Sequence, residues 1–350
     1  MTADAVGGVF TYALELAEGL ADHDVDVVVA IVGPPPSREQ RRRLEEARLA
    51  DVVERPFALE WMDEPWDDVD RTGLWLLELV EAEQPDLLHL NAYAHGALEA
   101  GVPRLVAAHS CVLSWHEAVR GRPAGREWDR YRDVVGAGLR AADAVVAPTR
   151  AYLDDLARLY GPLPAAAAIP NGLAGRGLRP LAKERLVLGA GRFWDEAKNL
   201  AALERLGRRL DAPVLIAGDG APLGRVGPVR LAELYGRAAI FASPARYEPF
   251  GLAAAEAALC GCALVLGDLP TLREVWGDDA VFVAPADEDA LAAACTRLLS
   301  DDAERERLAR AARRRALSYS RERMTAAYLD LYRRLLATPR TPARAQEALR

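Results

Sequence analysis

Ala245-Arg-Tyr-Glu-Pro-Phe-Gly-Leu-Ala-Ala-Ala-Glu256 is the stretch of this 350-residue chain from which the rest can be read. Two glutamates, Glu248 and Glu256, stand with seven residues between them, and that interval holds a proline, a glycine and a run of small helix formers. The pattern reads as a tight loop opening directly into a helix. Such a start presents backbone N–H groups without intrahelical partners and the positive end of the helix dipole, which suits a phosphate. Carboxylates repel phosphate, so Glu248 and Glu256 must serve groups on either side of it, and hydroxyls are the natural candidates. A helical rise of ~1.5 Å per residue sets Glu256 about 7 Å further along, the displacement of a ribose diol from a diphosphate. A ligand with hydroxyls on both sides of a diphosphate is a nucleotide-sugar. Glu256 also lies in the apolar run Leu252-Ala-Ala-Ala-Glu-Ala-Ala-Leu259, where a lone acid is costly to bury unless bonded. Two ordinary surface acids on a helix are the competing reading.

Outward from this block, short β-like apolar runs alternate with helical patterns. One set comprises Val25–Val32, Leu87–Leu90, Arg104–Ala108 and Ala144–Ala147; a second comprises Arg185–Leu188, Val214–Ala217, Ala239–Ala242, Ala263–Leu266 and Ala280–Val283. Continuous apolar runs separated by helices indicate parallel strands covered on both faces, so the class is α/β, doubly wound. The first helix follows Gly7-Gly8 and carries Val9, Tyr12, Ala13, Leu16, Ala17 and Leu20 on one stripe. Periodicity fades between Gly161 and Pro180, around the turn Pro170-Asn-Gly172. This divides the chain into an N-terminal acceptor-side domain, 1–165, a donor domain, 166–320, and a C-terminal helix with a tail, 321–350. Ligands bind outside the C-terminal ends of strands in open α/β sheets, so two such domains facing each other make a cleft. Helices are expected over 303–317 and 321–336, and the proline-punctuated tail from Thr338 is expected to fray.

A net charge of −8 without a basic face excludes a duplex nucleic-acid binder. Cys111, Cys260, Cys262 and Cys295 are too few and too scattered for a disulfide framework, and Cys260-Gly-Cys262 lacks metal-ligand spacing. These features read as buried reduced thiols of a cytoplasmic protein. No apolar run reaches the ~18 residues of a membrane span, and Met1-Thr-Ala-Asp-Ala5 lacks the marks of a signal peptide. Peripheral membrane contact stays open. The Asp-x-Asp pairs at Asp24, Asp68 and Asp287 fall in unrelated contexts, so no metal is expected. A Walker loop and a Gly-x-Ser-x-Gly elbow are both absent.

Several segments carry candidate chemistry. Gly7 and Gly8 permit close backbone approach to a ligand at a helix start, or form a plain turn. His109 follows the strand run Arg104–Ala108, where it could bond a sugar hydroxyl, hold a proton near neutral pH, or be a satisfied loop histidine. Arg192 and Lys198, in Gly189-Ala-Gly-Arg-Phe-Trp-Asp-Glu-Ala-Lys-Asn199, follow the first strand of the second set and pair a planar fork with a point charge, a common pairing for a diphosphate, or are two solvated cations in a loop. Gly218-Asp-Gly220 is a turn with possible backbone contact to a nucleotide. His95, Trp115 and His116 belong to aromatic segments that suit either an acceptor or loop packing.

On these residues the chain resembles the retaining glycosyltransferases of family 4, which have the GT-B fold of two Rossmann-like domains. Glu248-Pro-Phe-Gly-Leu-Ala-Ala-Ala-Glu256 is similar to that family's E-x7-E motif; Gly7-Gly8, His109, Pro170-Asn-Gly172, Arg192 with Lys198, and Gly218-Asp-Gly220 fall in its order. The resemblance implies a metal-independent hexosyltransferase with no cofactor beyond its nucleotide-sugar, transferring to a small or lipid-linked acceptor. It further implies that Arg192 and Lys198 bind the diphosphate, Glu256 the ribose, and Glu248 the transferred sugar. Phe250, Gly251 and Leu252 would donate backbone contacts, His109 would touch the sugar, and Gly7, Gly8 and Gly218 would lie near the donor. The helix after Arg321 is expected to return to the first domain. The family places a strand before its Gly-Gly loop, and here six residues precede Gly7; the reading is that this central strand is missing. Alternatives are a GT-B epimerase or phosphorylase, or a non-catalytic nucleotide-sugar binder that lost activity with the strand.

Overall fold

The structure is a computed structural model that describes residues 1–338; the tail from residue 339 lies outside the described residues. Two parallel arrays make up the first half. In one, β1 (Thr2–Ala3), β2 (Val28–Val32) and β3 (Asp51–Arg55) pair in that order; in the other, β4 (Leu88–Leu90), β5 (Arg104–Ala107), β6 (Ala144–Ala147) and β7 (Ala167–Ala168) do. Asn91 joins them: its backbone N–H donates to Thr2 Oγ1 at 2.8 Å and its Nδ2 to the Thr2 carbonyl at 2.5 Å. The resulting order, 3-2-1-4-5-6-7, reverses direction between β1 and β4.

The strand expected to be missing is therefore present. Thr2 pairs with Ala30 and Ala3 with Ile31, and the terminal amino group of Met1 donates to the Val28 carbonyl at 2.8 Å. Two residues, one of them threonine, leave no apolar run to detect. Partner strands supply the cohesion instead, because both residues are buried between β2 and the start of the Asn91 loop. β3 and β7 escape detection for a related reason: β3 lies at the sheet edge with its ends exposed, and β7 is only two residues long.

The second half forms one parallel sheet of β8 (Glu184–Ala190), β9 (Val214–Ala217), β10 (Ala238–Ser243), β11 (Ala263–Gly267) and β12 (Val281–Val283), in the order 12-11-10-8-9. Its reversal lies between β8 and β10. Between β9 and β10 stands only one helix, Pro228–Arg237, which runs straight into β10.

Alternation along the strands divides each half into two cores. In β5, Val106 joins the cluster of Trp75, Leu90, Tyr131 and Tyr152, while Leu105 and Ala107 join Phe10, Leu16, Leu20 and Tyr328 on the other face. In β8, Leu188 packs with Phe241 and Trp276, and Val187 with Leu203 and Leu298. Helices cover both faces of each sheet, as continuous apolar strands require.

The last described helix, Arg321–Ala337, packs against the first, Gly8–Ala21. Arg321 bridges Glu15 at 2.7 Å and Glu18 at 2.8 Å, and a Cβ on Gly19 would collide with Thr325 Oγ1. Gly172 accommodates the turn into this helix, since a Cβ there would lie 2.5 Å from the Ser320 carbonyl.

Candidate active site

In open α/β sheets the crevice forms where strand order reverses. In the second sheet this point lies outside β8 and β10, whose following loops carry Arg192, Lys198 and Glu248. In the first sheet it lies outside β1 and β4, followed by Gly7-Gly8 and Asn91. The two crevices face each other.

The contact between them is made by two helix starts. Helix Gly8–Ala21 begins after Gly7 and helix Leu252–Leu259 after Gly251, and neither has a side-chain cap. A Cβ on Gly8 would sit 3.2 Å from Leu252 Cδ1, and one on Gly7 would sit 2.6 Å from Arg192 Nη1. Glycine at both positions thus lets two positive helix ends and one guanidinium approach the same place. Gly251 takes a left-handed φ of 89°, the conformation that turns the loop sharply into its helix.

Cations on this wall are held by local acids. Arg192 Nη2 donates to Asp195 Oδ2 at 2.7 Å, its guanidinium lies over Trp194 at 5.2 Å, and its buried Nε has no partner among the described residues. Lys198 Nζ donates to Glu248 Oε2 at 2.7 Å, and the other oxygen of Glu248 accepts from the Gly251 N–H at 3.1 Å. Glu248 therefore orients the lysine and the helix start together. Asn199 anchors the end of this loop through the Pro244 and Pro285 carbonyls, both at 2.9 Å. Glu256 stands one turn inside its helix, partly buried; burial pushes its carboxyl up to about 7, against the opposing influence of Tyr235 and Arg43.

The facing wall sets Asp4 near Arg192, its Oδ1 accepting from the Val6 N–H at 2.8 Å, and continues in neutral groups. His109 Nε2 lies 2.7 Å from Asn91 Oδ1, and the Tyr12 ring meets its imidazole edge-on at 4.5 Å. Burial pushes His109 down to about 4, so the ring is neutral at physiological pH. Tyr12 continues into a buried array: its hydroxyl donates to Tyr328 at 2.5 Å and lies 3.1 Å from His89 Nε2, while His89 Nδ1 meets Tyr332 at 2.6 Å.

Other sequence candidates lie farther out. Gly218 has its Cα face against the Gly191 carbonyl, so a side chain there would displace the Arg192 loop. Phe250 is buried, its ring edge-on to Tyr319. His95 is buried, bonded to the Val69 carbonyl at 3.0 Å, and lines a cavity of about 30 Å³ with Asp4, Glu60, Thr72 and Asn91, room for about one water. Trp115 reaches across the cleft, its Nε1 donating to Asp195 Oδ1 at 3.4 Å. His116 packs between Trp115 and Trp128.

Sequence reasoning missed the residues that join the two halves. The Tyr247 hydroxyl accepts from the Cys111 N–H at 3.0 Å and bonds Ser114 Oγ at 2.9 Å. Arg120 forms a two-pronged pair with Glu196 at 2.7 and 3.0 Å. Glu274 accepts from the Arg150 and Ala151 N–H groups, capping a helix of the other domain. Asn91 was detectable, because it follows a strand as His109 does; the others carry no local signal.

Comparison with known proteins agrees with this layout. The family described as Glycosyltransferase Family 4 matches residues 6–174, and Glycosyl transferases group 1 matches residues 222–315. A D-inositol 3-phosphate glycosyltransferase of Xylanimonas cellulosilytica is 34% identical over 250 residues, covering 58% of this chain and 59% of its own length. Among solved structures, sucrose-phosphate synthase from Thermosynechococcus elongatus superposes with a TM-score of 0.78 at 22% identity, covering 96% of both chains. Anabaena HepE in complex with UDP-glucose does so with a TM-score of 0.75 at 15% identity, covering 95% of this chain and 100% of its own. These two share the GT-B fold. The glycogen synthase of Mycobacterium tuberculosis (strain CDC 1551 / Oshkosh) is 30% identical over 287 residues, which span 71% of this chain and 69% of that one. That span, the two family matches and the two sheets meeting at their reversal points make this chain a group 1 glycosyltransferase of family 4.

Proposed function

We propose that this glycosyltransferase moves a hexose from a nucleotide-diphosphate sugar to a hydroxyl acceptor, with retention of anomeric configuration and without a metal. The observation that carries the reading is the convergence of two uncapped helix starts, one from each domain, on Arg192. That is a receptor for a compact dianion in a partly desolvated cleft, where preorganised charge acts most strongly. HepE, whose fold this chain shares, has been solved with UDP-glucose.

On this reading the diphosphate lies between the helix starts. Arg192 and Lys198 stabilise the negative charge that grows on the leaving oxygen as the glycosidic bond breaks, the task a divalent cation would otherwise perform. Lys198 has one donor committed to Glu248 and two left for phosphate oxygens. Glu256 accepts from the ribose hydroxyls, and Glu248 faces the transferred sugar. Both Glu248 oxygens already accept hydrogen bonds, which lowers the carboxylate's nucleophilicity and favours direct attack by the acceptor on the face the diphosphate leaves. The non-catalytic alternative rested on an absent first strand, and β1 removes that ground.

The test is thermal unfolding with UDP-, GDP- and dTDP-hexoses in EDTA, followed by NMR of the product's anomeric configuration. A donor at a hundredfold excess over its Kd stabilises by about 2.7 kcal/mol. No shift with any of the three, or an inverted product, overturns the proposal.

A further inference from the structure

We propose that Thr2 and Asn91 are positioning residues that hold His109 in the tautomer carrying its proton on Nε2, so that Nδ1 is an acceptor for a substrate hydroxyl. The substrate contact rests on the function proposed above; the tautomer does not. The lock begins at β1, a strand of two residues. Asn91 has one amide end 2.5 Å from the Thr2 carbonyl. A carbonyl oxygen only accepts, so that end must be the NH2. The backbone N–H of the same asparagine donates to Thr2 Oγ1 at 2.8 Å, which pins the residue at a second point. With its nitrogen committed to Thr2, Asn91 turns its oxygen to His109, 2.7 Å from Nε2. That oxygen also only accepts, so Nε2 must carry hydrogen. In a neutral imidazole the other nitrogen is then bare.

The surroundings keep the ring neutral and in place. His109 lies at the C-terminal end of β5 with the Tyr12 ring edge-on to it. The groups packed about it are the Tyr12 hydroxyl from the first helix, Asn91 beyond β4 and, further off, His89 within β4, itself held neutral by burial. No carboxylate is hydrogen-bonded to the ring among the described residues to draw a second proton. Nδ1 has no hydrogen-bond partner among the described residues, and the residue is only partly buried. A bare nitrogen there pairs with a group that donates hydrogen, an alcohol, and repels one that only accepts, such as a carboxylate. The site therefore selects a sugar bearing a free hydroxyl at that position over one carrying an acid or a ketone there.

Long-range nitrogen–proton correlation NMR on the full chain, uniformly 15N-labelled at histidine, reads the tautomer directly without any substrate. The expected spectrum of His109, assigned by its loss in His109→Gln, shows a protonated Nε2 and a bare, pyridine-like Nδ1 near pH 7. A Nδ1–H tautomer or an imidazolium overturns the inference. Asn91→Ala is expected to release the lock: the ring becomes a mixture of tautomers and kcat falls about tenfold with KM for the donor raised less than threefold. If Asn91→Ala folds and leaves the tautomer unchanged, Asn91 is not the lock and the inference fails. If the tautomer is as expected but no nucleotide-sugar binds, it is the proposed function that falls. If nucleotide-sugars bind and His109→Gln turns over at the wild-type rate, the substrate contact falls.

Discussion

The two walls of the cleft are built by opposite means. On the second-domain wall every key side chain comes from a strand–loop–helix segment, and charge is balanced within that wall: Lys198 by Glu248 and Arg192 by Asp195. On the first-domain wall Thr2, Tyr12, Asn91 and His109 come from four separate segments, and their contacts are neutral hydrogen bonds and ring edges. A charged wall tolerates small displacements because Coulomb attraction falls slowly with distance. A wall of hydrogen bonds does not, since these weaken steeply with distance and angle. On the proposed function, the first would hold the diphosphate and the second would orient the sugar.

The strongest way to break this contrast is to remove charge from the second wall. Lys198→Ala is expected to cut kcat on the order of a hundredfold, the usual loss for a preorganised donor at developing negative charge. Glu248 then keeps its bond to the Gly251 N–H, so the fold should survive, as thermal unfolding will show. Turnover within threefold of wild type would mean that the charged wall does not stabilise the leaving group.

A geometric change at the junction of the walls should do less. Gly7→Ala places a Cβ 2.6 Å from Arg192 Nη1, the far end of a flexible side chain. The guanidinium can move aside at little cost in stability, but off the position where the helix starts meet. About a tenfold fall in kcat with Tm nearly unchanged is expected, since misplacing a catalytic group by ~1 Å costs up to a hundredfold.

Glu256 sharpens the comparison through pH. Its folded-state value, about 7, lies above the ordinary 4.5. The folded chain therefore holds a proton that the unfolded chain has released, so this group's stabilisation is complete below pH 4.5 and is lost as pH rises through 7. Glu256→Gln should flatten that part of the Tm–pH curve. Ribose hydroxyls favour the ionised carboxylate, so nucleotide binding near pH 7 should release a proton, measurable by calorimetry in buffers of different ionisation enthalpy. No proton release in wild type would remove Glu256 from the ribose site.

The smallest effect is expected where the walls are tied together at the rim. Arg120 and Glu196 are 42% and 51% exposed in their side chains, and such pairs contribute about 0–1 kcal/mol. Arg120→Ala should leave Tm within a few degrees and kcat within about threefold. A larger loss would show that closure of the cleft, rather than either wall, limits turnover.

How much of this was legible follows from where the partners lie along the chain. Glu248, Gly251 and Glu256 announce a helix start because loop, cap and first turn are contiguous, and Arg192 and Lys198 could be found by their place after a strand. Asn91 obeyed the same rule and was overlooked, since one asparagine carries no pattern. Tyr247, Glu274 and Glu196 act on the other domain, and nothing beside them in the chain marks that role. The first strand shows the limit most plainly: two residues, Thr2 and Ala3, have no periodicity, yet they occupy the centre of a sheet.

By itself the sequence determined the α/β class, nine strand runs of the two halves and the helix start within the Glu248–Glu256 block. Those properties depend on residues within one turn or one strand of each other, where propensity and hydrophobic period act. The tertiary structure alone decided that β1 is present, that two helix starts meet at Arg192, and that Asn91 turns its oxygen to His109. Each of these depends on groups distant in sequence, which only the packing of two sheets against their helices brings within hydrogen-bond range.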